Sequence, residues 1–157
     1  MNALTPASRR SVGFSPHSDA LPVIGDLSAP DADAAAITEA LIRDVVTEFY
    51  LRARQDDHLG PVFAQRVHDW DTHLTRMTDF WSSVLLRTGR YDGRPMERHR
   101  AIDELSAGHF GRWIELFETV VRDLCAPKEA KAFLVRAQRM RDGMIKILGL
   151  DGGLGGR

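Results

Sequence analysis

Cysteine occurs once, at Cys125, so the chain can build neither an internal disulfide nor a thiolate zinc centre, and a reducing, cytoplasmic setting is expected. No apolar run approaches the roughly 18 to 20 residues that cross a bilayer. The N-terminus also lacks the apolar stretch of a signal peptide. Arg9-Arg10 do not begin a twin-arginine signal either, because Pro16, His17 and Asp19 interrupt the stretch that would have to be apolar. Charge of one sign is missing as well: 21 basic against 22 acidic side chains give a net charge of -1, so no broad positive field exists to hold nucleic acid or an anionic membrane. Neither is expected as a partner. Lysine is scarce, since 18 of the 21 basic residues are arginine, the side chain that forks onto carboxylates and phosphates. GxSxG, phosphate-loop, HExxH, CxxC and dinucleotide glycine motifs are all absent, which removes the usual support for hydrolase and nucleotide-binding readings. His68 and His73 are five residues apart and face different sides of a helix, so they do not make a metal-ligand pair.

What is present suits one all-α domain of 157 residues with one site. Residues 1–32 are rich in Pro, Ser, Ala and Asp and read as a flexible tail, residues 33–150 as the helical domain, and residues 151–157 as a glycine-rich C-terminal tail. A helix is expected from near Asp33, carrying Ile37, Leu41, Val45 and Phe49 at every fourth position, widened by Ile42, Val46 and Tyr50, and fading near Asp56-Asp57. Pro61 opens a short helical turn that carries Phe63. A strongly amphipathic helix over about 69–86 spaces Trp70, Leu74, Met77, Phe80, Trp81, Val84 and Leu85 by three and four. After a broken stretch, Pro95 begins a short helix that ends at His99. A third long helix over about 106–125 aligns Phe110, Trp113, Phe117, Val120 and Leu124. A fourth over about 128–148 aligns Ala130, Phe133, Ala137, Met140, Met144 and Ile147. No strand and no internal repeat are expected.

Three polar groups interrupt apolar faces: the Tyr50 hydroxyl, the His73 imidazole and the Trp113 indole N–H. Each needs a partner when buried, and three converging would form a donor cluster suited to a small ligand. Taken singly, Tyr50 and Trp113 are ordinarily core residues with a satisfied polar tip, and His73 can reach solvent from a helix face. His99, in an irregular segment, is ordinarily just an exposed histidine; opposite such a cluster it becomes a candidate axial ligand.

These residues stand in ordered strings: Phe49-Tyr50, Leu59-Gly60-Pro61-Val62-Phe63, Asp69-Trp70-Asp71-Thr72-His73, Phe80 through Leu86, Gly89 through Met96 and on to His99, and His109-Phe110-Gly111-Arg112-Trp113. Together, over roughly residues 37–148, they resemble the truncated haemoglobins, group III in particular. The resemblance implies a two-over-two helical sandwich around haem b. It implies His99 as the proximal ligand to iron, Phe63 stacked on the haem, and Tyr50, His73 and Trp113 as the distal polar residues. Phe49, Arg76, Met77, Phe80, Trp81, Tyr91, Met96 and Phe110 are the further haem contacts it implies, with Arg76, and more weakly Arg94 and Arg98, as candidates to meet a propionate. The tail before the first helix is longer than such a fold requires.

The function so implied is the binding of diatomic gas ligands, O2, NO or CO, by a monomer or weak oligomer. An alternative is NO dioxygenation or peroxide reduction at the same haem, which needs an external reductase because the chain holds no flavin or nicotinamide module. A third is a haem-free helical interaction or sensor domain in which the aromatic residues are merely core.

Overall fold

Six helices, with no strand among the described residues, make up the protein in a computed structural model that describes residues 37–150. The tails expected over residues 1–32 and 151–157 lie outside the described residues. Helix α1 (Glu39–Gln55) opens where Thr38, in extended backbone, accepts a hydrogen bond from Leu41 N–H at 3.1 Å. The expected start near Asp33 is thus displaced: Asp33 is not among the described residues, and the cap within them is a threonine that follows the buried Ile37. Asp56 ends α1, and its carboxylate accepts from the N–H groups of His58 and Leu59, turning the chain into α2 (Gly60–Arg66). A Cβ at Gly60 would stand 2.8 Å from the Arg54 carbonyl oxygen, so only glycine lets α2 touch the backbone of α1.

Helix α3 (Trp70–Leu86) is capped by Asp69, which accepts from Thr72 N–H at 3.1 Å, and it ends at Arg87 in the left-handed region. Pro95 starts the short α4 (Pro95–Arg100); α5 (Ala107–Leu124) and α6 (Pro127–Ile147) follow. Helix α1 packs on α3 and α5, α6 packs on α5 and α3, and α2 leans on α1, giving a two-over-two sandwich. Phe117 sits at the crossing: its ring stacks between Trp81 of α3 at 5.0 Å and Trp113 at 5.3 Å, and meets Phe49 of α1 edge-on at 5.6 Å and Phe133 of α6 at 6.2 Å. Two members of the expected stripes depart from it. Leu124 and Ile147 are 41 % and 51 % exposed, because each lies at its helix's last turn, past the end of the core.

The N-terminus of α5 holds an unusual cap. The Nδ1 of His109 accepts from the Ser106 N–H at 3.1 Å and lies 2.9 Å from the Ser106 hydroxyl, while its ring stacks on His58 at 4.2 Å. Accepting requires an unprotonated nitrogen. Burial, and then the neighbouring His58, hold the His109 imidazole below its ordinary pKa of 6.5, against a smaller opposing pull from Glu104. A histidine whose folded pKa is depressed stabilises the fold in full above its ordinary value and loses that contribution as pH falls. His109→Gln keeps an acceptor in reach of the Ser106 N–H, as in the Ser-x-x-Gln capping box, but does not titrate. Its melting temperature is expected to decline less steeply than wild type as pH falls below about 6.5. Equal slopes would assign the acid sensitivity to other groups.

Candidate functional site

The C-terminal half of α1, the first half of α3 and α2 together enclose an aromatic wall. Tyr50, buried at 9 % exposure, meets Phe63 edge-on at 5.4 Å, Trp70 at 5.8 Å and His73 edge-on at 4.8 Å. Burial drives the Tyr50 hydroxyl's pKa well up, and the nearby Tyr91 adds to this, so the phenol keeps its proton and remains a donor. His73 is held neutral in the same way: burial, then the charges of Arg76 and Arg98, lower its pKa. Its Nε2 is buried and is the one such side-chain atom among the described residues with no hydrogen-bond partner. A buried imidazole nitrogen left without a partner is costly in a finished core and useful in a site that receives a polar ligand.

Of the three polar groups singled out in the sequence, Tyr50 and His73 come into direct ring contact. Trp113 joins them at one remove: its ring lies 5.9 Å from Phe49, which in turn packs 4.9 Å from Tyr50. Trp70, whose spacing marked it only as a core position, is a further member. It lies 5.5 Å from His73 and is covered on its outer face by the Arg54 guanidinium at 4.3 Å. The signal was available, since Trp70 and His73 are a helical turn apart on one face of α3.

His99 lies on α4, half-buried, 6.1 Å from the ring of Phe110 on α5. Its Nδ1 is 2.5 Å from the carbonyl oxygen of Pro95, one turn earlier. A carbonyl oxygen only accepts, so Nδ1 carries the proton and, in the neutral ring, Nε2 keeps its lone pair. Pro95 therefore both starts the helix and orients the imidazole. Helix α4 packs extensively on no other helix of the described structure, which leaves room between it and α3.

Beside this space runs a groove of about 950 Å³ lined by Thr72, Thr75 and Arg76 of α3, by Arg90 and Tyr91 of the following loop, and by Arg94 and Arg98 at α4. That volume is in the range of small-molecule and cofactor sites. All three arginines expected to meet an anionic group are thus on one groove, interspersed with Asp71, Asp79, Asp92 and Glu97. Tyr91 connects the groove to the aromatic wall through an edge-on contact with Phe80 at 5.1 Å. Phe80 itself packs on Trp81 at 5.7 Å, and Met77 lies half-buried against the core. The side chain of Met96 lies outside the described residues. Cys125 is remote from all this, and burial followed by Glu129 pushes its thiol up to about 11, which makes it a poor nucleophile. Among the described residues no three metal-ligating side chains cluster, and no helix is long and apolar enough to cross a membrane.

Four packed helices, two over two, with a short helix standing off beside a polar-lined aromatic wall, define the truncated-globin fold. The chain superposes on the crystal structure of a group III truncated hemoglobin from Campylobacter jejuni with a TM-score of 0.71 and 26% identity, covering 77% of this chain and 96% of that one. It is also 27% identical over 121 residues to the Group 3 truncated hemoglobin ctb of Campylobacter jejuni, spanning 74% of this chain and 95% of the relative. No family model matches the chain. Sequence and structure therefore agree on the likeness that the ordered strings suggested: the chain is similar to group III truncated hemoglobins in both.

Proposed function

We propose that the chain is a haem b protein that binds diatomic ligands such as O2 and NO, in which His99 would hold the iron and Tyr50, His73 and Trp113 would be the polar groups that meet the ligand. The observation that carries this reading is the His99 hydrogen bond to Pro95, which commits Nδ1 and leaves Nε2 free to ligate. The other groups fit as well. Apolar rings suit a flat apolar macrocycle, the groove arginines suit its propionates, and the partnerless His73 Nε2 suits a polar ligand arriving at the distal side. Haem, when bound, would supply an iron able to take up a diatomic molecule.

The rest is the work of the chain. His99 would hold the iron from α4, with its ring orientation fixed by Pro95. Tyr50 keeps its proton at neutral pH and donates it in a hydrogen bond toward the ligand. Trp113 offers an indole N–H from α5. His73, neutral and flanked by Tyr50 and Trp70, either donates from Nε2 or turns aside to admit the ligand. Phe49 and Phe63 close the wall against water.

Reduced protein supplied with haem and CO is expected to give a sharp Soret band, and a colourless preparation after haem loading contradicts the proposal. In the same protein, Tyr50→Phe removes one donor. A hydrogen bond to a partly charged acceptor contributes about 1.5 to 3 kcal/mol, so O2 dissociation followed by stopped flow is expected to quicken by roughly 10- to 100-fold. An unchanged rate would take Tyr50 out of the ligand's reach.

A further inference from the structure

Ser82 is fully buried on the inner face of α3, where the side chains of the core around it are apolar. A hydroxyl there is tolerated only when its hydrogen-bonding capacity is met. It is met completely. The Ser82 hydroxyl donates to the Glu39 carboxylate at 2.7 Å and accepts from the Arg90 guanidinium at 3.0 Å; its remaining partner, the Thr88 hydroxyl at 2.9 Å, then donates to it. Glu39 and Arg90 are themselves ion-paired. One serine thus gathers the first residue of α1, the C-terminal part of α3 and the loop between α3 and α4.

The loop so held presents Tyr91. Its N–H donates to Ser83 Oγ at 3.0 Å, its ring packs edge-on against Phe80 at 5.1 Å, and its phenol folds over Gly93. A Cβ at Gly93 would collide with the Tyr91 hydroxyl, so residue 93 must be glycine for the phenol to lie there. Tyr91 also lines the groove and is near enough to Tyr50 to raise that residue's pKa. It therefore stands between the groove and Phe80 on α3.

We infer that Glu39, Ser82 and Arg90 form a latch which positions Tyr91 as the outer wall of the haem pocket, and that closure of this latch controls how long the pocket retains haem. The inference rests on the haem reading above. The Glu39 and Arg90 side chains are 37% and 49% exposed, and ion pairs that exposed add little to global stability. Their role is local, in fixing the loop between α3 and α4. Glu39 and Arg90 act through Tyr91 and are positioning residues.

The test uses the full chain loaded with haem b and follows haem transfer to an excess of a haem-free acceptor globin by the Soret band. Glu39→Ala is expected to speed haem loss about 10-fold, the scale on which outer-shell partners act at metal sites, with the melting temperature of the haem-free protein unchanged. Tyr91→Ala should speed it by a similar factor. Combining the two should add little, because both open the same wall. The exchange of charges, Glu39→Arg with Arg90→Glu, should restore retention. An unchanged rate in Glu39→Ala, multiplied effects in the double variant, or failure of the exchanged pair to rescue would each overturn the latch. Should the wild-type protein take up no haem, the haem reading fails by itself, and the latch is then read by limited trypsin digestion of the unloaded chain. Cleavage after Arg87 is expected to rise in Glu39→Ala and to return to wild type in the exchanged pair, and equal cleavage in all three overturns the latch independently of haem.

Discussion

His99→Gly, expressed and supplied with haem, is expected to lose its characteristic absorption on gel filtration, and to recover it when imidazole is added to the buffer. Pro95 is the reason. Because the Pro95 carbonyl takes the Nδ1 proton, the ring's only free lone pair is on Nε2. Removing the side chain removes the proposed ligand while leaving α4 its other residues, and free imidazole can occupy the vacated space between α4 and Phe110. Loss of an outer-shell partner typically costs about 10- to 100-fold in affinity, and removal of the ligand itself should exceed that. A variant that retains haem as well as wild type would take His99 out of the site. A variant that folds and still binds a protein partner, in a chain that never held haem, would support the interaction-domain alternative instead.

Phe117→Ala is expected to have the largest effect on stability. The ring is 1 % exposed and stacked between two indoles, with further rings of α1 and α6 against its edges. Rigid aromatic neighbours collapse poorly into a vacated space, so the substitution falls at the upper end of the core-truncation scale, about 3 to 5 kcal/mol. Domains are stable by only about 5 to 15 kcal/mol. A fall in melting temperature of about 10 °C or more is therefore expected in a thermal circular-dichroism scan. A fall of only a few degrees would mean that Trp81 and Trp113 close over the gap.

The helices were largely legible because their punctuation is local. Helix α1 ends at Asp56 and α3 opens at Asp69, close to the expected bounds, and Pro61 and Pro95 begin short helices as a proline with its fixed φ tends to do. The start of α1 was less legible. Asp33 and Thr38 can both cap, and the apolar periodicity runs through Ile37 without saying which residue does so. In the site, periodicity placed Tyr50 and His73 on inward faces, and the structure brings their rings together. It could not say that Trp113 stands behind Phe49, since that depends on how α5 rotates against α1. Least legible was the Glu39–Ser82–Arg90 contact. Glu39 is separated from Ser82 by 43 residues and from Arg90 by 51, and a serine between Trp81 and Val84 shows nothing in the sequence of being buried or of calling for a distant carboxylate.

Phe49 belongs at once to the wall around Tyr50 and to the ring cluster on Phe117. Under the proposed function, selection on this chain therefore cannot adjust durability and ligand affinity separately at that position. Any side chain that packs the helix crossing differently also moves the phenol of Tyr50 and the indole of Trp113, so evolutionary change in the ligand's surroundings is expected to proceed by paired substitutions at this crossing, with the periphery free to drift.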